Sequence, residues 1–420
     1  MKIAIVGAGI SGMATAWLLR GQHEVVLYEA EARAGGHADT QEVELGGRRI
    51  AVDTGFIVYN ETNYPHLSAL FAELGVATEP SEMSFAVSRD GGALEYGGGD
   101  LRQLFAQKRN AMNPRFLGMV RDILRFWREA PALLADAADG RTLGAWLDDG
   151  AYGRAFVEDH ILPMGAAIWS ASVDGMRAFP ARHFVRFFHN HGLLRLADRP
   201  RWRTVSGGSR RYVERLTSAL SDVRFGCAVR AVVRDAEGVV VHAAGEQRFD
   251  VVVLACHAHQ ALALLAAPSA AERAVLGAIK GLPNRAVLHT DASLMPRRRA
   301  AWSSWNYLAD GRGNGGRHVA VTYWMNRLQN IPGPDLFVTL NPPREPIGAL
   351  VERSYSHPQF DTAAMEAQTR LPGIQGEGGV YFAGAWTGWG FHEDGIASAV
   401  RIAGLLGRAA PWRAAERRVA

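Results

Sequence analysis

The chain has 420 residues, 48% hydrophobic and 21% charged, with a formal net charge of +4. That is ordinary globular composition with room for two sizeable cores, and it shows neither repeats nor low-complexity tracts. Apolar runs stay short of a membrane-crossing helix, Cys227 and Cys256 cannot build a disulfide framework or a cysteine zinc site, and no nucleic-acid motif is present.

The opening stretch KIAIVGAGISGMATAWLLRGQHEVVLYEAEARAGG predicts a buried strand over 2–6, a helix over 13–20 and a second strand over 24–29. Gly7, Gly9 and Gly12 stand between strand and helix at G-x-G-x-x-G spacing. The first glycine permits the turn, the second lets backbone approach a pyrophosphate, and the third lets the helix pack on the sheet. Free N–H groups at the helix start favour an anion there, and Ile10 and Ser11 in the turn ahead of it are candidate cofactor contacts. Glu29 closes the second strand 22 positions after Gly7, where an acid grips a ribose hydroxyl and repels a 2′-phosphate. The unit therefore reads as a dinucleotide site that is not an NADP pocket. Gly7, Gly9 and Ser11 interrupt the first apolar run, which reads against a signal peptide, and the cysteine usage points to a cytoplasmic setting.

Residues 41–60 predict a hairpin around Gly46-Gly47 leading into Asp53-Thr54-Gly55, and 64–74 a helix. Short alternating segments from Met83 to Tyr96, with a turn at Asp90-Gly91-Gly92, open a second domain. Phe116 to Trp127 predicts an amphipathic helix with Arg121, Asp122, Arg125 and Arg128 on its polar face. Two readings stand: a basic, membrane-facing lip, or a surface helix packed on a core. Phe184, Phe187, Phe188 and Trp169 suit an apolar channel wall or plain core, and His183, His189 and His191 lack zinc-helix spacing. A helix follows Gly207-Gly208-Ser209, strands fill 225–255, and five strand-like segments over 280–355 predict a mixed or antiparallel sheet. Arg297-Arg298-Arg299 reads as a solvated loop or a contact with anionic headgroups. Residues 378–408 read as strand, glycine-rich loop and helix, and 411–420 as a frayed tail.

Glu31, Arg33, Gly35, Gly36 and His37, followed by Asp53-Thr54-Gly55, extend the dinucleotide fingerprint. With them the chain resembles the glutathione-reductase-like FAD superfamily, in the branch of amine oxidases, phytoene desaturases and protoporphyrinogen oxidases. The resemblance implies an α/β fold: a Rossmann-like FAD domain over 1–82, 204–266 and 356–420, and an α+β substrate domain on a mixed sheet with a helical cap over 83–203 and 267–355. It further implies that Ala30, Arg33, Gly36, His37, Thr54 and Gly55 line the cofactor, that the Val229 backbone pairs with the adenine side, and that Gly384 meets the flavin side. The helix around Asp394, Gly395 and Ile396 would aim its N–H groups at the flavin C2 carbonyl.

The segments GGHADT, DTGFIVYN, NHGLL, VSGGSRRYV, HPQF and GAWTGWGFHEDG also look like a bacterial amine-oxidase-like flavoprotein family. Some of its members desaturate methylated acyl chains of phospholipids on the route to furan fatty acids. The resemblance implies oxidation of an allylic position to a conjugated diene, with the acyl chain of a phospholipid as partner and peripheral contact with the inner membrane face. His392 is the candidate base, Glu393 and Trp386 are further catalytic candidates, and Asp394 also reads as a helix cap. His357 is a polar candidate without a place, and no metal site is expected. In amine oxidases of the superfamily a lysine often holds a water near flavin N5, and Lys280 is the candidate here. Amine oxidation, double-bond isomerisation and a non-catalytic lipid escort are the competing readings.

Overall fold

The computed structural model describes residues 1–136, 138–195, 197–309 and 320–412. Six helices matter for the site: α1 (Ile10–Leu19), α2 (Pro65–Leu74), α3 (Pro114–Glu129), α4 (Ala181–Asn190), α5 (Arg210–Ser218) and α6 (His392–Leu405).

Five short apolar strands form a fully parallel sheet. Its order is Val223–Arg224, Glu24–Tyr28, Lys2–Val6, Val251–Leu254 and Val380–Phe382. Both faces are covered, which is why these strands read as continuous hydrophobic runs. One face packs on α1, α5 and α6, and the other on a three-stranded antiparallel layer and short helices. The first strand lies between the strands at 24–28 and 251–254, so the chain leaves it to opposite sides. A ligand crevice belongs at that switch, beyond the carboxyl ends of the strands.

The second sheet has seven strands, in the order Ala349–Pro358, Gly281–His289, Phe337–Leu340, Ala320–Trp324, Trp305–Ala309, Phe85–Arg89 and Leu94–Gly97. All neighbours are antiparallel except Trp305–Ala309 with Phe85–Arg89. This is the expected mixed sheet. It shares one large core with the helical segment containing α3 and α4. Two of the expected domain limits fall inside strands: Trp202–Val205 pairs with Val58–Asn60 and Thr78–Pro80, and Ala349–Pro358 runs along Gly281–His289. Among the described residues no helix is long and apolar enough to cross a membrane.

One surface expectation is corrected. Asp122 belongs to the inner side of α3, where its carboxylate accepts the Gly153 N–H at 2.9 Å, while Leu117 and Leu124 face solvent. In the three-arginine segment Arg297 and Arg299 are exposed, as expected of a solvated loop, yet the segment is anchored. Arg298 pairs with fully buried Glu95 at 2.8 Å, the Arg297 N–H donates to the same carboxylate, and Arg299 pairs with Asp335 at 3.2 Å. The expected tail lies mostly in 413–420, outside the described residues.

Candidate active site

Backbone geometry builds the floor of the crevice. A methyl group on Gly12 would lie 1.8 Å from the Gly7 carbonyl oxygen, so α1 approaches the first turn only because that side chain is missing. A methyl group on Gly9 would meet nothing within 4 Å, so Gly9 faces open space. Glu29 stands beside this turn: its carboxylate accepts the Ala8 N–H at 2.7 Å and the Glu31 N–H at 2.9 Å. The Gly35 N–H donates to the Ala8 carbonyl at 2.8 Å, laying the second glycine pair across the first. Arg33 spans from the Gly36 carbonyl to buried Asp39, each at 3.1 Å. Ala30 is exposed, and Val229 packs behind the parallel sheet.

The C-terminal segment closes on the same place. A methyl group on Gly395 would lie 2.8 Å from Ser11 Oγ and 2.9 Å from Ile10 Cγ2, so the start of α6 touches the start of α1. Asp394 caps α6 by accepting the Phe391 N–H at 3.0 Å, and Ile396 is fully buried beneath it. Gly384 leaves room for the Trp386 indole, whose N–H donates to the Cys256 carbonyl at 2.9 Å. Thr54 is buried and hydrogen-bonded to the Tyr355 hydroxyl at 2.7 Å. Gly55 admits the His37 carbonyl, which accepts the Phe56 N–H at 2.7 Å.

Where the two sheets meet, histidines from distant segments gather. The His37 ring lies 5.3 Å from His357, 6.2 Å from His257 and 5.0 Å from Tyr355, centre to centre. Asn284 donates to His357 Nδ1 at 2.9 Å, and its own carbonyl accepts from Asn341 at 2.7 Å. His357 therefore carries its proton on Nε2. Burial pushes His257 and His357 down to about 4 and His37 well below its ordinary range, with the neighbouring imidazoles adding to the effect. All three are neutral at pH 7. Each of the three is half-buried. His37 Nε2 is buried without a hydrogen-bond partner. Among the described residues no group of His, Cys, Asp and Glu could hold a metal ion.

A wall of packed aromatic side chains, part of the core shared by the second sheet and the helical segment, leads away from the loop before α6. Phe391 stacks on Phe187 of α4 at 5.2 Å, Trp389 lies 6.3 Å from the same ring, and His191 stacks on it at 3.9 Å. Phe187 also contacts Trp169 at 4.7 Å, and Phe184 stacks on Phe188 at 4.2 Å. Phe188 reaches Phe126 on the inner side of α3 at 6.4 Å.

The family model of flavin containing amine oxidoreductases matches residues 10–289. The chain belongs to this family. Its cofactor is FAD. No curated protein matches the sequence. Solved structures share the fold of this flavin amine oxidoreductase at low identity. A protein assigned as a protoporphyrinogen oxidase from Exiguobacterium sp. 255-15 has a TM-score of 0.69 and 18% identity, covering 96% of this chain and 98% of its own. A CLA-producing fatty acid isomerase from P. acnes has a TM-score of 0.68 and 15% identity, covering 96% and 98%. Cyclohexylamine oxidase from Brevibacterium oxydans IH-35A has a TM-score of 0.67 and 18% identity, covering 97% and 99%.

The residues present fit the cofactor, because the open side of Gly9 lies beside the Gly35-Gly36 crossing and the start of α6 closes on the same helix start. The catalytic expectations fare differently. Glu393 is 1% exposed, and both carboxylate oxygens accept backbone N–H groups of α2, from His66 at 2.9 Å and Leu67 at 3.0 Å. It caps a helix, and its oxygens are committed. His392 stacks on Phe56 at 3.8 Å, its Nε2 lies 2.9 Å from the Tyr212 hydroxyl, and burial pushes it down to about 3 rather than leaving it near 6.5. Trp386 is 2% exposed, with its indole N–H bound. Lys280 is exposed just ahead of Gly281–His289, and the buried polar side chains on that strand are Asn284 and His289. Sequence reasoning missed Asn284, His257 and Tyr355. The register that pairs Asn284 with Tyr355 and Leu282 with His357 joins segments seventy positions apart, which no local pattern announces.

Proposed function

We propose that this flavoprotein oxidises an unsaturated, methyl-branched acyl chain at an allylic position and yields a conjugated diene. The N–H groups of Ile10, Ser11 and Gly12 at the start of α1 would hold the FAD pyrophosphate, Glu29 the ribose, Arg33 and Gly36 the middle of the cofactor, and Gly395 and Ile396 its flavin end. Bound there, FAD supplies an acceptor for a hydride from carbon.

The observation that carries the lipid reading is the aromatic wall. Phe187, Phe391, Trp389, Trp169, Phe184 and Phe188 join the glycine-rich loop to the helical segment without a charged side chain among them. Such a wall favours an apolar chain and keeps water from the reacting carbon. A protein of the same fold acts on fatty acids. Loss of hydride leaves a strongly acidic allylic cation, so a weak base suffices to take the next proton. His37 is neutral at pH 7, and its buried Nε2 is free to hold that proton, while the C–H electron pair stays as the new double bond. Asn284 positions His357 beside it, and the neighbouring imidazoles disfavour a second charge.

Amine oxidation is the second reading, favoured by the family itself. The exposed position of Lys280 speaks against it. The test is anaerobic mixing of the FAD-loaded protein with a phospholipid bearing a methyl-branched monoenoic chain. Loss of the visible flavin absorbance together with a new conjugated-diene absorbance is expected. Bleaching by a primary amine and not by the lipid overturns the proposal.

A further inference from the structure

Four of the nine exposed large hydrophobic residues among the described residues fall between positions 101 and 124. Two of them, Leu117 at 43% and Leu124 at 53% exposure, share the outer side of α3. They alternate there with Arg121 and Arg128, whose side chains are 79% and 77% exposed. Positions 117, 121, 124 and 128 follow i, i+4, i+7 and i+11, which places them in one line along the helix. Met112, 87% exposed, stands immediately before the first turn, with Lys108 and Arg109 exposed beside it.

Core packing accounts for the other side of the helix, where Phe116, Met119, Ile123 and Phe126 are buried. It does not account for two leucines in water. The nearby acids are already engaged: Asp122 is buried on Gly153, and Glu129 accepts from Arg125 at 2.9 Å. The outer arginines retain only single contacts with these, at 3.5 Å from Arg121 and 3.2 Å from Arg128.

We propose that this stripe of α3, with Met112 ahead of it, is a docking surface for an anionic lipid bilayer. The leucines and the methionine enter the acyl boundary, and the arginines and Lys108 meet headgroup phosphates. Charge selects the occupant, because an uncharged apolar partner would leave the interleaved arginines unmatched. The inner side of the same helix reaches the aromatic wall through Phe126 and Phe188, so the bilayer would lie on the far side of the layer that leads to the site. The inference deepens the lipid reading and rests on it for its purpose, but vesicle binding involves no turnover, so the two fail separately.

The experiment is cosedimentation of the FAD-loaded protein with phosphatidylglycerol vesicles and with phosphatidylcholine vesicles. Binding to the first, weakened by salt, and little binding to the second is expected. L117S/L124S should weaken binding at least about tenfold, and R121Q/R128Q should remove most of its salt dependence. Both variants should retain the visible flavin spectrum and the wild-type melting temperature. No binding, equal binding to both vesicles, or binding unchanged in both variants overturns the proposal. So does a dimer in gel filtration that the leucine variant splits, which would make a second copy the occupant.

Discussion

The cofactor crevice and the aromatic wall meet at Phe391, yet they are built by opposite means. In the crevice the decisive feature is missing atoms: Gly12 lets α1 close on the first turn and Gly395 lets the start of α6 meet the start of α1, because neither carries a side chain. In the wall the decisive feature is side-chain bulk, with Phe184, Phe187 and Phe188 filling the space between α4 and its neighbours. Backbone approach has no tolerance, because nothing can rotate away. Stacked rings can shift, so the wall can be altered without losing the cofactor.

The sharpest way to break this contrast is Gly12→Val. Its added carbon would overlap the Gly7 carbonyl, and we expect loss of essentially all bound flavin in the visible spectrum of the purified protein. Phe188→Ala should cost about 3–5 kcal/mol by urea denaturation, since the ring is 2% exposed and stacked, while the flavin-to-protein ratio stays at the wild-type value. Loss of flavin in that variant would show that the two regions are not separable. Glu393→Gln removes one of two carboxylate acceptors at the start of α2 and should lower stability by about 1–2 kcal/mol in the same assay.

The smallest effect is a slope. His257 and His357 are held near 4 in the fold, His37 also lies below its ordinary range, and unfolded histidine titrates near 6.5. Between pH 6.5 and 4 the unfolded chain binds more protons, so this stability is complete above pH 6.5 and falls as the pH drops toward 4. Each histidine contributes up to about 1.4 kcal/mol per pH unit. Unfolding free energies across this window should fall less steeply in His357→Gln by one such increment.

The same contrast explains what the sequence disclosed. The cradle is legible because its physics is local: a strand, glycines at fixed spacing, a helix start and Glu29 lie within thirty residues. The mixed sheet is legible from its β-branched and aromatic segments. The histidine cluster is not, because His37, His257 and His357 come from three segments joined only by sheet register and by the crossing of Gly35 over the first turn. Glu393 illustrates a different failure. An acid beside a predicted flavin loop looks catalytic until α2, from another part of the chain, presents its N–H groups. Asp122 follows the same rule: a charge on an amphipathic helix was expected outside, but a backbone donor at Gly153 draws it in.

The touch between Gly395 and Ser11 has a consequence for how the protein is made. The halves of the cradle, Ser11 and Gly395, lie far apart in sequence, and a ribosome adding about 5–20 residues per second needs on the order of tens of seconds to travel between them. A nascent chain that has already folded its first strand and helix still lacks the lid of its binding site. Cofactor capture is thereby deferred until the segment around Gly395 has been made, and a product terminated before it should emerge colourless.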